Sequence, residues 1–577
     1  MKKTIIFSTA VALGLSLASC DDFLTEDVRG SENLDTYFKS EEEVNSYIGG
    51  CYFEITKYGW WQVVNSWLMS DMTTDDMWDG NTTQDDGYQD ITHFMPNAPS
   101  NGIIQNFWGA RYQGINTCNV AIARIPGAAM DEELKEQRIA EARFLRAFFY
   151  FDLARNFGGV PLITEPISNA EGIGRASLDD VYNFCETEFD AVAKILPQRS
   201  EYAATDMGRA TRGAALGLLG KVYLYHGKTA EAKTALSTVI TEGEYDLLPN
   251  FGDVWSVEHN NSIESLFEVQ HMYGGDQYAL GGALTVITGC RNGVGDGWSW
   301  GQPSSDLENA FIAAGDTERL RWTIIKTGCK EIAGETQFDK FIENNATVFS
   351  QGLNDPKFLG YKEAFGWTDD VYEEGYVIDP SQHKSARIIR KYFVPLDQRP
   401  EIYNIDKIPL NHRILRYADV LLMYAEACNA EGADGDARKA LNKVRSRVGL
   451  ADVTSSGTAL RDAIRAERRL ELAFEQCRLY DIRRWDADNG KKVMANIMGP
   501  NGSFVTYNLG PNADIYEHYN QGETSDKGTR FVESRYSDLR NTALQRRYRA
   551  EPRLVSDLIR RLSKLKNTAL YNRFFYI

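Results

Sequence analysis

A two-helix pattern that occurs twice in one register constrains this chain more than any other feature. Leu219-Gly220-Lys221-Val222-Tyr223 is followed by Ala232, Leu236 and Val239. Counted from Ala425, the same offsets land on Ala437, Leu441 and Val444. Small residues at these places let paired helices approach closely. A lone pair cannot bury both of its faces, so at least three should stack. Residues 102–125 with 132–156 form a further candidate pair.

The Leu-Gly-x-x-Tyr run resembles the first helix of a tetratricopeptide unit. Other periodic segments also read as helices. Residues 131–156 open on Asp131-Glu132-Glu133, which suits a helix dipole, and end before Gly158-Gly159 and Pro161. Residues 178–196 repeat Leu178, Val181, Phe184, Cys185, Phe189, Val192 and Leu196 at three- and four-residue steps and stop at Pro197. The predicted fold class is mostly α: a tetratricopeptide-like stack of helical hairpins with long irregular loops and a few short β-hairpins. The loops are residues 59–101 and 245–410, rich in Gly, Asn, Asp, Trp and Tyr, with a β-prone piece at 385–393.

Hydrophobic content of 43% and aromatic content of 12% supply a sizeable core and exclude a largely disordered chain. A net charge of −18 argues against a nucleic-acid partner, whose phosphates need a cationic surface. The leader carries Lys2 and Lys3, then an apolar run from Ile5 to Leu17, too short to span a bilayer. It closes at Leu17-Ala18-Ser19-Cys20, which resembles the lipobox of bacterial lipoproteins. That resemblance implies cleavage after residue 19 and acylation of Cys20, whose lipid would be the membrane anchor. The seven other cysteines show no metal-ligand spacing. One or two disulfides are open to them in an oxidising compartment, and those in helical runs suit apolar packing.

Several runs together resemble the SusD/RagB family of outer-membrane lipoproteins. They are Cys20-Asp21-Asp22-Phe23-Leu24, then Glu141-Ala142-Arg143-Phe144-Leu145-Arg146-Ala147 leading to Gly158-Gly159-Val160-Pro161, and Arg209-Ala210-Thr211 before the Gly220 helix. Arg416-Tyr417-Ala418-Asp419 and Ile464-Arg465-Ala466-Glu467-Arg468-Arg469-Leu470-Glu471, closing at Asp481-Ile482-Arg483-Arg484-Trp485, complete the order. The resemblance covers roughly residues 1–530. It implies a helical scaffold whose irregular face binds glycan, and a TonB-dependent outer-membrane transporter of the SusC type as partner. It further implies a lipid-anchored place on the outer membrane facing the exterior, with no catalytic role and no cofactor. The charged residues of the last run are expected to pair within their helix.

The chain thus divides into a signal peptide at 1–19, a helical domain at 20–534 and a tail at 535–577. That tail carries eleven Lys or Arg against three Asp or Glu and lacks the Pro-containing end usual in the family. Its charge suits a shifted reading frame in the source gene, a divergent tail or a nucleic-acid-binding tail. An upstream frame with a Pro-rich end would identify the first.

Sugars present apolar C–H faces ringed by hydroxyls, so their sites need flat aromatic platforms edged by hydrogen-bonding groups. The candidate ligand-binding residues are Trp298 and Trp300 with Arg291, Asn292 and Asp296 on one Gly-rich loop, Trp78 with Asn81 on another, and Tyr273. The glycines are expected to leave Trp298 and Trp300 exposed and mobile, whereas Trp60, Trp61 and Trp67 read as core. Asp71 to Asp79 could hold calcium, but lack an oxygen ligand at the third loop position and read better as a solvated acidic loop. No metal is therefore expected. Two other functions remain open: a surface glycoside hydrolase, for which 81 Asp and Glu residues could supply two carboxylates, and a scaffold that binds only protein. No His-Glu-x-x-His, Gly-x-Ser-x-Gly or phosphate-loop motif supports catalysis.

Overall fold

The structure is a computed structural model that describes residues 37–56, 66–67, 69–80, 88–94, 102–167, 173–273, 281–291, 297–329, 345–395, 398–399, 407–521 and 527–533. The lipidation residue Cys20, Trp60, Trp61 and the tail at 535–577 lie outside them.

The helices that build the scaffold are α1 (Glu41–Phe53), α2 (Gly102–Arg124), α3 (Glu132–Phe157), α4 (Leu178–Val192), α5 (Arg212–His226) and α6 (Thr229–Glu242). On the irregular side lie α7 (Ser305–Ala313) and α8 (Thr317–Thr323), and the stack resumes with α9 (Tyr417–Ala430), α10 (Asp434–Arg447), α11 (Gly457–Glu471) and α12 (Arg478–Arg484). From α2 to α6 each helix packs on the next, and α6 packs on α9 although residues 243–416 intervene. The irregular region is therefore one long insertion between two consecutive hairpins. The predicted stack of paired helices is present.

Helix α3 runs through the centre. Asp131 caps it by accepting the Leu134 N–H at 3.0 Å, and Gly158 ends it at φ 70°. From Ala140 to Phe157 every residue but Arg143 is buried, so this stretch of the helix has no solvent face and must sit between neighbours. Helix α4 starts at a capping box of Ser177 and Asp180 and stops at Val192, four residues short of the predicted end. The last apolar positions belong to a turn that packs on the core rather than to helix.

Close packing at the repeat depends on Gly220. A Cβ there would lie 2.5 Å from Leu236 Cγ of α6, well inside van der Waals contact. Gly220→Val is expected to lose about 1–3 kcal/mol of stability by overpacking, read as a lower urea midpoint at unchanged slope.

Among the described residues, three two-stranded antiparallel sheets clamp the insertion. They use β1 (Met77–Trp78), β2 (Ser265–Val269), β3 (Gln302–Pro303), β4 (Ile324–Lys326), β5 (Arg387–Ile389) and β6 (His412–Arg416). Pair β2–β6 ties the two ends of the insertion together, β4–β5 joins two of its inner segments, and β6 runs directly into α9. The β-prone piece at 385–393 was expected to form a local hairpin. Its strand β5 instead pairs with β4, 60 or so residues earlier, with Ile324 opposite Ile389. Short strands find partners by burial, which local sequence does not encode.

Cys51, Cys118, Cys185, Cys428 and Cys477 carry free thiols, and all seven described cysteines but Cys329 are buried.

Candidate functional site

Strand pair β1–β3 joins the two tryptophan-bearing loops, setting Trp78 opposite Gln302. This contact puts the candidates from both loops in one region. It also buries part of them.

The loop bearing Trp298 and Trp300 is held firmly where it is described. Gly297, Trp298, Ser299 and Trp300 donate their backbone N–H groups to Cys290, Val286, Gly289 and Ile287 at 2.8–3.0 Å. Gly297 is required, because a Cβ would run into the Val286 carbonyl. Ser299 takes φ 60°, a left-handed conformation costing on the order of 1–3 kcal/mol in a residue with a side chain. Its Oγ accepts the Arg291 N–H at 2.7 Å, which helps hold that conformation. The expectation of a mobile loop is corrected for residues 297–300: the glycine serves close approach, not motion.

Two rings expected to be exposed are core. Trp300 is 5% exposed and Trp78 is 1% exposed, so neither offers a face to a ligand in this structure. Trp78 packs on Phe504 at 5.3 Å with the Lys527 ammonium 5.6 Å from its ring. Trp67 is fully buried, as predicted. Trp298 differs. It is half-buried, leaning edge-to-face on Trp300 at 5.2 Å and packing against the cluster of Val286, Val394, Ile408 and Leu410. Tyr273 is 44% exposed. The Lys407 ammonium lies 5.9 Å from its ring, and Gly282 donates its N–H to the Ile408 carbonyl at 2.7 Å. Trp298 thus leans on the cluster that includes Ile408, Tyr273 lies by the adjacent Lys407, and half-buried Arg291 is bonded to the loop of Trp298 through Ser299. Asn292, Asp296 and Asn81 lie outside the described residues.

The acidic run is not solvated. Asp71, Asp75, Asp76 and Asp79 are all buried. Arg478 Nη2 donates to Asp75 Oδ2 at 2.7 Å, Arg469 Nε to Asp76 Oδ1 at 2.7 Å, and Lys384 pairs with Asp79. Burial alone would raise Asp75, but Arg469 and Arg478 hold its carboxyl well below the usual range. These aspartates therefore bolt the irregular face to α11 and α12. The α11 charges correct a second expectation: instead of pairing within the helix, Glu467 and Glu471 engage Arg319, Arg416, Arg445 and Arg447 from other segments.

Two histidines on this side give a pH prediction. Burial pushes the His383 and His412 imidazoles down to about 3. The unfolded chain, with an ordinary value near 6.5, binds those protons first. Their stabilising contribution is therefore complete above pH ~6.5 and lost as pH falls towards ~3. At pH 5 the loss is roughly 2 kcal/mol per imidazole. A His412→Asn variant should show a shallower fall in urea midpoint between pH 6.5 and 5 than the parent.

Sequence reading missed two aromatics. Tyr519 is 52% exposed beside Phe365 at 5.1 Å, and its spacing from Tyr516 on a short helix is the only signal that marked it. Trp322 is half-buried, but the Arg390 guanidinium covers it at 4.0 Å.

Comparisons with known proteins agree with this architecture. Residues 264–549 match the family described as the SusD family, and residues 22–224 match one described as starch-binding and associating with the outer membrane. SusD-like protein P2 of Formosa agariphila is 27% identical over 549 residues, covering 89% of this chain and 95% of that protein. A solved laminarin-binding SusD-like protein is 26% identical, with a TM-score of 0.63 over 84% of this chain and 98% of its own. A solved SusD homolog from Bacteroides thetaiotaomicron, 22% identical, superposes with a TM-score of 0.66 over 89% of this chain and 96% of its own, and so shares the fold.

Proposed function

We propose, because the chain belongs to the SusD family, that it is a cell-surface glycan receptor. It captures oligosaccharide or polysaccharide and delivers it to a SusC-like TonB-dependent transporter for import. Members of this family bind carbohydrate and are not enzymes. The observation that carries the reading for this chain is Trp298: a half-buried indole on a rigid, hydrogen-bonded base, with Arg291 bonded to the same loop. A flat ring of fixed orientation suits the apolar face of a sugar, and Arg291 can bond its hydroxyls.

In this reading acylated Cys20 moors the protein to the outer membrane, facing the exterior. Tethering raises the local concentration of ligand at the transporter without high affinity per site. Arg291, Asn292, Asp296, Trp298, Asn81 and Tyr273 are the proposed ligand contacts, with Trp78 and Trp300 as their buried support. The helical domain is proposed to end near residue 534, with a separate basic tail after it.

The test is titration of the purified protein, freed of its leader, with laminarin, starch and a panel of other glycans, followed by analysis of products. Retention of at least one glycan with no shortened products is the expected outcome. New reducing ends would favour the hydrolase reading, and failure to retain any glycan would overturn the receptor reading. For the partner, a tagged chain solubilised from outer membranes should bring down a TonB-dependent transporter; its absence would remove the delivery step.

A further inference from the structure

Beneath the irregular face, a cavity of about 30 Å³ lies among α2, α3, α5 and β6 and reaches the Glu475–Gln476 turn. By the same measure one water needs on the order of 10–15 Å³, so the space admits a small ion or a pair of waters and excludes a saccharide. Its lining is unusual in charge. Arg111 and Arg155 both turn to a single carboxylate, Asp152, and the three are 2%, 8% and 1% exposed. Arg111 reaches Asp152 Oδ2 through Nε at 2.9 Å and Nη2 at 2.8 Å, and Arg155 Nη2 takes Oδ1.

One carboxylate balances only one of the two guanidiniums. The other charged residues at the cavity have their own partners: Lys221 with Asp419 at 2.9 Å, Arg413 with Glu268 at 3.3 Å, and Glu475 with Lys391 at 2.7 Å and Arg416 at 2.6 Å. Two donors of the pair remain, since Arg111 Nη1 and Arg155 Nε are buried with no hydrogen-bond acceptor. The guanidinium faces are covered by Phe107 at 4.6 Å and Tyr480 at 4.4 Å, which leaves the edges as the available surface. An uncompensated buried charge is strongly unfavourable. Burial lowers Arg111 from the ordinary guanidinium range, with Asp152 opposing that and Arg155 adding to it.

We propose that this cavity is a binding site for a small monovalent inorganic anion such as chloride, held between Arg111 and Arg155. The anion would complete an Arg–Asp–Arg triad and supply the acceptor that both edges lack. Its place also matters for the face above. The same cavity is lined by Gln476, whose N–H donates to Asp71 at 2.9 Å and whose side chain accepts from Ser66 at 2.7 Å. Occupancy would thus stiffen the joint between the scaffold and the irregular insertion.

The deciding experiment is a bromide-soaked crystal of the wild-type protein measured at the bromine edge. An anomalous peak within hydrogen-bond reach of Arg111 Nη1 and Arg155 Nε supports the site; water-like density without anomalous signal there overturns it. In solution, thermal unfolding is compared in sodium chloride and sodium gluconate at equal ionic strength. The midpoint should rise by about 1–3 °C in chloride, and an Arg155→Met variant should lose that increment. Equal midpoints in the two salts, or an increment that survives in the variant, would count against the site.

Discussion

A Glu471→Ala protein should be less stable than its parent by about 3–5 kcal/mol, which is a large share of any domain's stability. Glu471 is fully buried at the end of α11. Its carboxylate accepts from Arg319 Nη1 at 2.9 Å, from Arg416 Nη1 at 2.6 Å and from Arg447 Nη2. Burial alone would raise this carboxyl, yet Arg447, Arg416 and Arg319 hold it well below the ordinary range. Those cations come from α8, β6 and α10, so one side chain ties the insertion to two parts of the stack. Truncation leaves three buried guanidiniums short of an acceptor, which is why the effect exceeds that of a surface ion pair. Urea unfolding followed by far-UV circular dichroism measures it, with Glu471→Gln expected to fall between. A loss below about 1 kcal/mol would mean that Glu264, Glu467 and Glu475 suffice without it.

Trp298→Ala should weaken binding of whichever glycan the wild type retains roughly 30-fold, since truncating a central aromatic anchor costs about 2 kcal/mol or more. The fold should survive, because this ring is half-buried and its loop is held by backbone hydrogen bonds that alanine preserves. Trp300→Ala should behave differently. Emptying a buried indole site costs about 3–5 kcal/mol of stability, and any loss of affinity would follow from lost order. Calorimetric titration and urea unfolding of both variants separate the two roles. Unchanged affinity in Trp298→Ala would remove that ring from the site.

The scaffold was legible because its information is local. Gly220, Leu236, Ala425 and Leu441 repeat at fixed offsets, and a helix turns any such offset into a face. The acidic start Asp131-Glu132-Glu133 did the same for one end, where Asp131 caps α3. The α11 charges were misplaced for the opposite reason. Spacing within one helix offered partners at hand, whereas burial brought better ones, such as Arg319 to Glu471, from more than a hundred residues away.

Sequence alone thus determined the helical hairpins, their stacking and the concentration of tryptophan in the irregular insertion. Tertiary structure alone decided which tryptophans keep a face. Trp78, Trp298 and Trp300 share the same glycine- and aspartate-rich surroundings, yet Trp78 is packed into one apolar cluster and Trp300 into the main core, while Trp298 is left at the edge. Ring exposure depends on what strands far apart in the chain place above it, and no spacing within a loop encodes that.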